Sequence, residues 1–261
     1  MQTGPYIIDR WMVGMIRDIC HEYGIIFRSF SDDWVLELEK NGYVHRVIGY
    51  QFDFNNAASA HIALDKVAAY QILASQNVSA VPHFLLRTKA GDAQWRTVSW
   101  EDGVVVKPLM GAGGHGVTLY FNEADARQAV QKAGIEAWAA SPHRNAKREV
   151  RVILLGDERL FSYEKQPVFH DDGLKVFNLS QGAVPLPYEP SGEVEQLARR
   201  AKDAIGLKLC AVDIFELETG EWTVLEVNSG FMMENYARTS EDNKQQTIEL
   251  YRTVVGRLFK E

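Results

Sequence analysis

Residues 209–228 read Leu209-Cys-Ala-Val-Asp-Ile-Phe-Glu-Leu-Glu-Thr-Gly-Glu-Trp-Thr-Val-Leu-Glu-Val-Asn228. Two apolar, β-branched segments, Leu209 to Leu217 and Trp222 to Asn228, flank the turn signal Glu218-Thr-Gly-Glu221, the signature of an antiparallel hairpin. With the turn centred between Thr219 and Gly220, Glu218 faces Glu221 and Asp213 faces Glu226. Directly opposed side chains share a face, about 4.5–5.5 Å apart at Cβ. Asn228, two residues beyond Glu226, lies on that same face. Opposed carboxylates repel unless something positive lies between them. A hard divalent cation satisfies an Asp, a Glu and an Asn carboxamide, and Mg²⁺ bound in this way keeps positions free for phosphates. The competing reading is a solvated polar face on an edge hairpin. The apolar flanks, Ala211, Val212, Ile214, Val224, Leu225 and Val227, weaken it.

Upstream, the β-branched run Val104-Val-Val-Lys107 breaks into Pro108 and a cluster holding Gly111, Gly113, Gly114, His115 and Gly116. Glycines let backbone N–H groups wrap an anion, and a lysine adds a point charge. This is no P-loop, because the lysine precedes the glycines and no Lys-Ser/Thr follows them. Nor is it a dinucleotide fingerprint, since no helix follows directly. Taken alone the cluster reads equally well as an ordinary turn. Lys66 reads alone as a solvated helix lysine. Glu136-Ala-Trp-Ala139 fits either a linker between lobes or a hinge whose backbone groups read an adenine edge, and Trp138 taken alone fits a core position better.

The remaining sequence bounds the class. The chain has 261 residues, 46% hydrophobic and 24% charged, as in ordinary globular proteins. The net charge of −7 argues against a nucleic-acid surface. Cys20 and Cys210 stand in no metal-like spacing and read as free thiols of a reducing compartment. No apolar run approaches a membrane span, and Met1 to Trp11 carries no export signal, so the expected location is cytoplasmic, without membrane partners. Trp11, Met15, Ile19 and Tyr23 fall at helical spacing before Gly24. A strand, Ile25 to Phe30, follows. Lys40-Asn-Gly42 joins two alternating strands in a hairpin. Asn55 to Ser59 reads as a loop, Ile62 to Gln76 as one helix, and Asn122 as the cap of an acid-led helix that ends at Gly134. Strands at Glu149 to Leu155 and Arg159 to Glu164 flank Gly156-Asp157. Helices are expected at Glu193 to Ala204 and Asn243 to Phe259. Helices mixed with antiparallel hairpins indicate an α+β fold of two lobes.

The ordered set "LDKVAAYQIL", "VVVKPLMGAGGHGV", "EAWA", "EVRVILLGD", "FNLSQGA", "AVDIFEL" and "VLEVNSG" resembles the ATP-grasp superfamily from Ile62 to Gly230. Within it the chain is most similar to RimK-like and glutathione- or cyanophycin-synthetase-like ligases. The resemblance implies two α+β lobes clamping ATP: a short N-terminal segment (1–60), a small lobe (61–135) and a large lobe with the metal site (136–261). It implies that Lys66 and Lys107 contact ATP phosphates and that Gly111 to Gly116 form a flap over them. It gives Glu136, Trp138 and Ala139 to adenine, through backbone groups, and Glu149 to the ribose. Asp213, Glu226 and Asn228 would hold one or two Mg²⁺ ions, with Mn²⁺ as a substitute. Arg151 and Asn178 match positions facing the phosphate-transfer region. The chain departs from the family at Val176, where an arginine is common and Lys175 stands beside it, in the insert Ser141 to Arg148, and in its short N-terminal segment.

The implied activity is an ATP-dependent ligase that joins a carboxylate to an amine through an acyl phosphate, acting on amino acids or a small peptide. Activation is needed because a carboxylate is a poor electrophile, and phosphoryl transfer is mostly positioning and charge neutralisation. Arg151 is the candidate to stabilise the acyl phosphate. The alternatives are a small-molecule kinase of the same fold and a non-catalytic ATP-binding regulatory domain. A homodimer is compatible with the sequence, which does not fix the assembly. The loops His170 to Gly173 and Gly230 to Met233 are candidates for the acceptor side, although Phe231, Met232 and Met233 read better as core or interface; Arg238 is a candidate carboxylate clamp, with a surface arginine as the simpler reading.

Overall fold

Asn41 and Gly42 both take positive φ, 53° and 83°, the type I′ loop whose twist matches that of paired strands. The structure is a computed structural model that describes residues 10–87, 95, 98–111, 113–169 and 174–260. In chain order these form α1 (Trp11–Glu22), β1 (Ile26–Phe30), β2 (Val35–Lys40), β3 (Tyr43–Ile48), β4 (Gln51–Phe52), α2 (Ala57–Leu64), α3 (Lys66–Ser75), β5 (Phe84–Arg87), β6 (Val104–Pro108) and β7 (Thr118–Tyr120). There follow α4 (Glu123–Ala133), β8 (Ala137–Pro142), β9 (Ala146–Leu155), β10 (Glu158–Gln166), β11 (Val168–Phe169), β12 (Lys175–Val176) and β13 (Val184–Pro187). The chain continues through α5 (Gly192–Ile205), β14 (Leu209–Leu217), β15 (Trp222–Asn228), α6 (Glu234–Ala237) and α7 (Glu241–Leu258). The elements fall into two compact units, Met1–Asn56 with Ser229–Glu261, and Ala57–Asn228.

In the first unit an antiparallel meander, β1-β2-β3-β4, presents Leu36, Leu38, Val47 and Phe52 to a core shared with α1 and α7. Tyr251 of α7 stacks on Phe231 at 5.7 Å and donates its hydroxyl hydrogen to the Phe231 carbonyl at 2.9 Å. Phe231 and Met233 are therefore core residues, and Arg238 is largely exposed, 3.8 Å from Glu234.

The second unit carries the hairpin of residues 209–228. Its main sheet runs β13-β10-β9-β14-β15, with every named pair antiparallel. Ser79 to Val81 adds a parallel bridge at the outer edge of β15: Val81 N–H donates to the Val224 carbonyl at 2.8 Å, and Val224 N–H to Ser79 at 2.9 Å. One face is apolar. Val150, Val152, Leu154, Val212, Ile214 and Val224 pack against Leu73 of α3 and Val194, Leu197, Ala198, Ala201 and Ile205 of α5. A buried Val, Leu or Ile side chain contributes about 1.5–3 kcal/mol relative to exposure. The alternation along β9 and β14 sends Glu149, Arg151 and Asp213 to the opposite face. The second sheet, β5-β8-β6-β7, packs Leu86, Val104, Val106, Trp138 and Ala140 against Ala126 and Val130 of α4.

Three expectations change. The helix expected over Ile62 to Gln76 is two helices, and the first begins inside the expected Asn55–Ser59 loop. Asp65 breaks them: its φ of −87° and ψ of 102° are extended, and its carboxylate accepts the N–H groups of Val67 and Ala68. That is an N-cap, which Asp supplies better than a helix interior position. Lys66 thus stands at the first position of α3. Residues 137–142, read across Glu136 to Ala139 as a linker or a hinge, form an inner strand. Ala137 to Ala140 pair with β5 while Trp138 to Pro142 pair with β6, so this backbone is committed to ladders on both sides. The link to the main sheet comes later, after Pro142. The 209–228 turn also differs. Leu217 N–H donates to the Glu221 carbonyl, and Glu216 pairs with Trp222, so Glu218 does not face Glu221.

Candidate functional site

Asp213 does pair with Glu226, but through a bulge. Near the turn Ile214 pairs with Val224. The register then shifts, leaving Leu225 as the inserted residue and bringing Asp213 opposite Glu226. Without it Asp213 would face Leu225, and Glu226 would turn to the apolar side, because a one-residue slip exchanges the faces. Asn228 donates from Nδ2 to Asp213 Oδ2 and to Glu226 Oε1, both at 3.1 Å. The three oxygen-bearing side chains converge.

Across the sheet, Tyr163, Arg151, Asp213 and Glu226 fall in one register row. Arg151 clasps the Asp213 carboxylate with both arms, Nε to Oδ1 at 2.8 Å and Nη2 to Oδ2 at 2.6 Å. Lys165 reaches Asp213 Oδ1 at 2.8 Å and also ion-pairs with Glu149. Asp213 is 1% exposed. Burial alone would raise its pKa, but Arg151 and then Lys165 hold it well below the usual carboxylate range. Burial keeps Glu149 above that range despite the Lys165 ammonium. A buried, paired network of this kind loses about 3–5 kcal/mol when one partner is removed.

Lys107 reaches the same region from β6. It is buried, which lowers its pKa to about 8; the charge of Glu226 opposes this, and that of Lys66 adds to it. Lys66 Nζ donates to the Gly111 carbonyl at 2.6 Å, tying α3 to the glycine cluster. Gly113, Gly114 and Gly116 all lie near φ +70°. A Cβ on Gly114 would lie 2.8 Å from Gln181 Nε2 and 2.9 Å from Asn178 Nδ2. The cluster therefore closes onto Asn178 to Gln181, and Gln181 Nε2 donates to the Gly114 carbonyl at 3.3 Å. Asn178 uses its Oδ1 to cap the short helical turn Leu179–Gln181. His115 is exposed, and Ala112 lies outside the described residues.

Lys66, Lys107, Glu149, Arg151, Asp213, Glu226 and Asn228 are thus brought together within one unit. Glu136 is exposed at the start of β8, Trp138 belongs to the second core, and Ala139 lies mid-sheet. Lys175 is held elsewhere, donating to the Ala146 carbonyl at 2.9 Å. His170 to Gly173 lie outside the described residues. Sequence reading missed Lys165. Extending the hairpin about Gly156-Asp157 would have placed Lys165 opposite Arg148; the register shift between Arg159 and Phe161 is what brings it opposite Glu149.

A sequence model of the RimK-like ATP-grasp domain matches residues 63–251. The chain belongs to this family. Its relatives include the tetrahydromethanopterin:alpha-L-glutamate ligase of Methanocaldococcus jannaschii, 30% identical over 149 residues, covering 53% of this chain and 49% of that one. A probable alpha-L-glutamate ligase of Trichodesmium erythraeum is 28% identical over 217 residues, covering 79% and 69%. The chain spans about half the length of the methanogen ligases it matches. Among solved structures, the D-cycloserine synthetase DcsG superposes with a TM-score of 0.59 at 19% identity, covering 74% of this chain and 70% of that one. The D-alanine–D-alanine ligase from Bacillus anthracis gives 0.56 at 17%, covering 77% and 71%. These likenesses show the α+β ATP-grasp fold.

The family implies Mg²⁺, and the donor set suits it. Asp213, Glu226 and Asn228 offer only oxygen ligands, as a hard cation requires. Among the described residues no group of three or more His, Cys, Asp or Glu forms a metal cluster; the oxygen set that converges here is two carboxylates and one carboxamide.

Proposed function

We propose that the protein is an ATP-dependent carboxylate–amine ligase. The observation that carries this reading is the convergence of Asp213, Glu226 and Asn228 on one face, with Arg151 in the same row and Lys107 in electrostatic reach of Glu226. Lys66 and Lys107 bind the triphosphate, and the Gly111–Gly116 segment covers it. Excluding water there protects an acyl phosphate from hydrolysis. The substrate carboxylate oxygen attacks the γ-phosphorus, ADP leaves, and an acyl phosphate forms. The amine then attacks the acyl carbon, and phosphate leaves as the amide bond closes. Arg151 stabilises the oxyanion charge of that second step, and Asn178 helps seat the closed flap. When bound at Asp213, Glu226 and Asn228, Mg²⁺ would neutralise phosphate charge. Glu149, locked on Lys165, belongs with this charge network rather than with the ribose, and Glu136, Trp138 and Ala139 are left out of the nucleotide site.

The relatives named as glutamate ligases make glutamate the first amine to try. Two unpaired buried cysteines suit a reducing, cytoplasmic setting. The test is phosphate release with Mg²⁺, ATP and pairs of amino acids, run beside Glu226→Gln. The variant is expected to lose about 10²-fold or more in turnover, as sites do when one preorganised charge contact is removed. Undiminished ADP production by the variant would contradict the assignment. ¹⁸O passing from substrate carboxylate to inorganic phosphate separates the ligase from a kinase, which would retain the label in a stable phosphorylated product.

A further inference from the structure

Asp213 and Arg151 are each given a task that the other blocks. A carboxylate has about four acceptor positions, and protein donors take all of them on Asp213. Oδ1 accepts from Arg151 Nε and from Lys165 Nζ, both at 2.8 Å. Oδ2 accepts from Arg151 Nη2 at 2.6 Å and from Asn228 Nδ2 at 3.1 Å. Asn228 turns that same nitrogen, not its oxygen, toward Glu226. N–H donors therefore hold the oxygens that a divalent cation would need. Arg151 is committed in return. Among the described residues its hydrogen bonds both go to Asp213, so the forked edge that suits an anionic substrate group is already in use.

The two cationic side chains on Asp213 are held differently. Lys165 has a side chain 6% exposed and is anchored twice, on Asp213 and on Glu149. Its departure would strand two buried carboxylates, which is costly. Arg151 has a side chain 16% exposed and, among the described residues, ion-pairs with Asp213 alone. It stands directly across from Asp213 on the neighbouring strand, so a change of side-chain rotamer is enough to lift the guanidinium off the carboxylate. Lys165 would still be in place behind it. Arg151 is thus the partner that can leave, and Lys165 the one that stays.

We propose that Arg151 is an exchangeable stand-in for the divalent cation at Asp213. It neutralises the carboxylate until a cation takes the same oxygens, and the guanidinium freed by that exchange is the one that turns to substrate. Lys165, anchored on Glu149, keeps Asp213 oriented throughout, and Asn228 turns its carboxamide over to offer oxygen. No covalent bond changes; one positive group replaces another on one carboxylate, so Arg151 is delivered only when metal is loaded. The proposal rests on the reading of Asp213, Glu226 and Asn228 as the metal set, and the experiment separates the two. Mn²⁺ is the probe, because it takes the same oxygen ligands as Mg²⁺ and its free ion is read by electron paramagnetic resonance. Binding is measured with Mn²⁺ alone and with ATP for the wild type, Arg151→Met, Arg151→Lys, Arg148→Met and Glu226→Gln. An internal competitor lowers apparent affinity by the fraction of sites it leaves open, so Arg151→Met should bind Mn²⁺ about tenfold tighter than the wild type. Arg151→Lys, which keeps the charge but not the fork, should fall between them. Arg148→Met removes the same charge from the same strand, but Arg148 pairs with Glu164 and Glu216; it should stay within about twofold of the wild type. Glu226→Gln should weaken binding. An affinity in Arg151→Met that is unchanged or weaker, or an equal gain in Arg148→Met, would overturn the exchange while the loss in Glu226→Gln upheld the metal set. Should Glu226→Gln bind as well as the wild type, or no protein bind Mn²⁺ beyond ATP itself, the metal-set reading fails and the exchange with it. Circular dichroism reports whether each variant is folded. If Arg151→Met does not fold, Arg151→Lys carries the comparison, and an affinity equal to that of the wild type would overturn the exchange.

Discussion

A buried lysine is useful to a phosphate site only while it is charged, and Lys107 is near the limit. Burial lowers its pKa to about 8, against an ordinary value near 10.4. Its ammonium is therefore lost as pH rises through about 8, a range in which an exposed lysine keeps its charge. ATP affinity should be flat from about pH 6 to 7 and fall above about pH 8, in a calorimetric titration at constant ionic strength. Lys107→Arg, whose guanidinium stays protonated, should remove the alkaline fall even where it weakens binding at pH 7 through its different shape. A decline of the same midpoint in both proteins would assign it to another group. Asp213 shows the reverse sign. Arg151 and Lys165 depress its pKa, so its contribution to stability is complete above the unfolded carboxyl value of about 4 and is lost as pH falls below it. The fork from Arg151 is what lets a fully buried carboxylate stay ionised.

Strands and turns carried more of their own signal than the site did. The Asn41-Gly42 hairpin and the α4 cap at Asn122 were legible because each depends on a few neighbouring residues with fixed φ or a capping oxygen. The convergence of Asp213 and Glu226 was legible only in outcome. A simple turn predicts it, whereas the structure reaches it by a different turn plus the Leu225 bulge, and nothing in the composition of a β-branched strand marks which residue is extra. Glu136 to Ala139 stayed open between a linker and a hinge because a short alanine-rich stretch beside a tryptophan has no strand period to detect, and the neighbours of β8 in the sheet are distant in sequence. The glycine cluster was legible as flexible but not as docked. Gly113 and Gly114 have the same positive φ, so alanine at either should cost about 1–2 kcal/mol in backbone strain. Only Gly114 also meets Asn178 and Gln181. Gly114→Ala should therefore lose more stability to urea and more ATP turnover than Gly113→Ala, which meets only the movable ring of His115. Equal losses would mean that Asn178 and Gln181 do not hold the closed segment.

At the scale of the whole chain, the two ends of the described sequence build one unit, and the stretch between them in sequence builds the other. Ser229–Glu261 belongs with Met1–Asn56, although about 170 residues separate them in sequence, and this is the kind of contact that periodicity cannot reveal. The closing element is α7. Its Val254, Val255 and Leu258 are buried, Arg252 pairs with Glu22 of α1 at 3.0 Å, and Tyr251 covers Phe231. Removing α7 by a stop after Ser240 strips from α1 the helix packed against it and leaves a four-stranded meander with α1 and the short α6. Burying several apolar side chains is what holds a unit of this size together. The truncated chain should lose hydrogen-exchange protection throughout α1 and β1 to β4. β9, β14 and β15, whose apolar face is covered by α3 and α5 of their own unit, should keep theirs. Because Lys66, Lys107, Asp213, Glu226 and Asn228 all belong to Ala57–Asn228, ATP binding should persist in the truncated protein within about tenfold of wild type, about 1.4 kcal/mol. Loss of protection in β14 and β15 together with β2 and β3 would show that the units fold as one, and the nucleotide site would then depend on the far end of the chain.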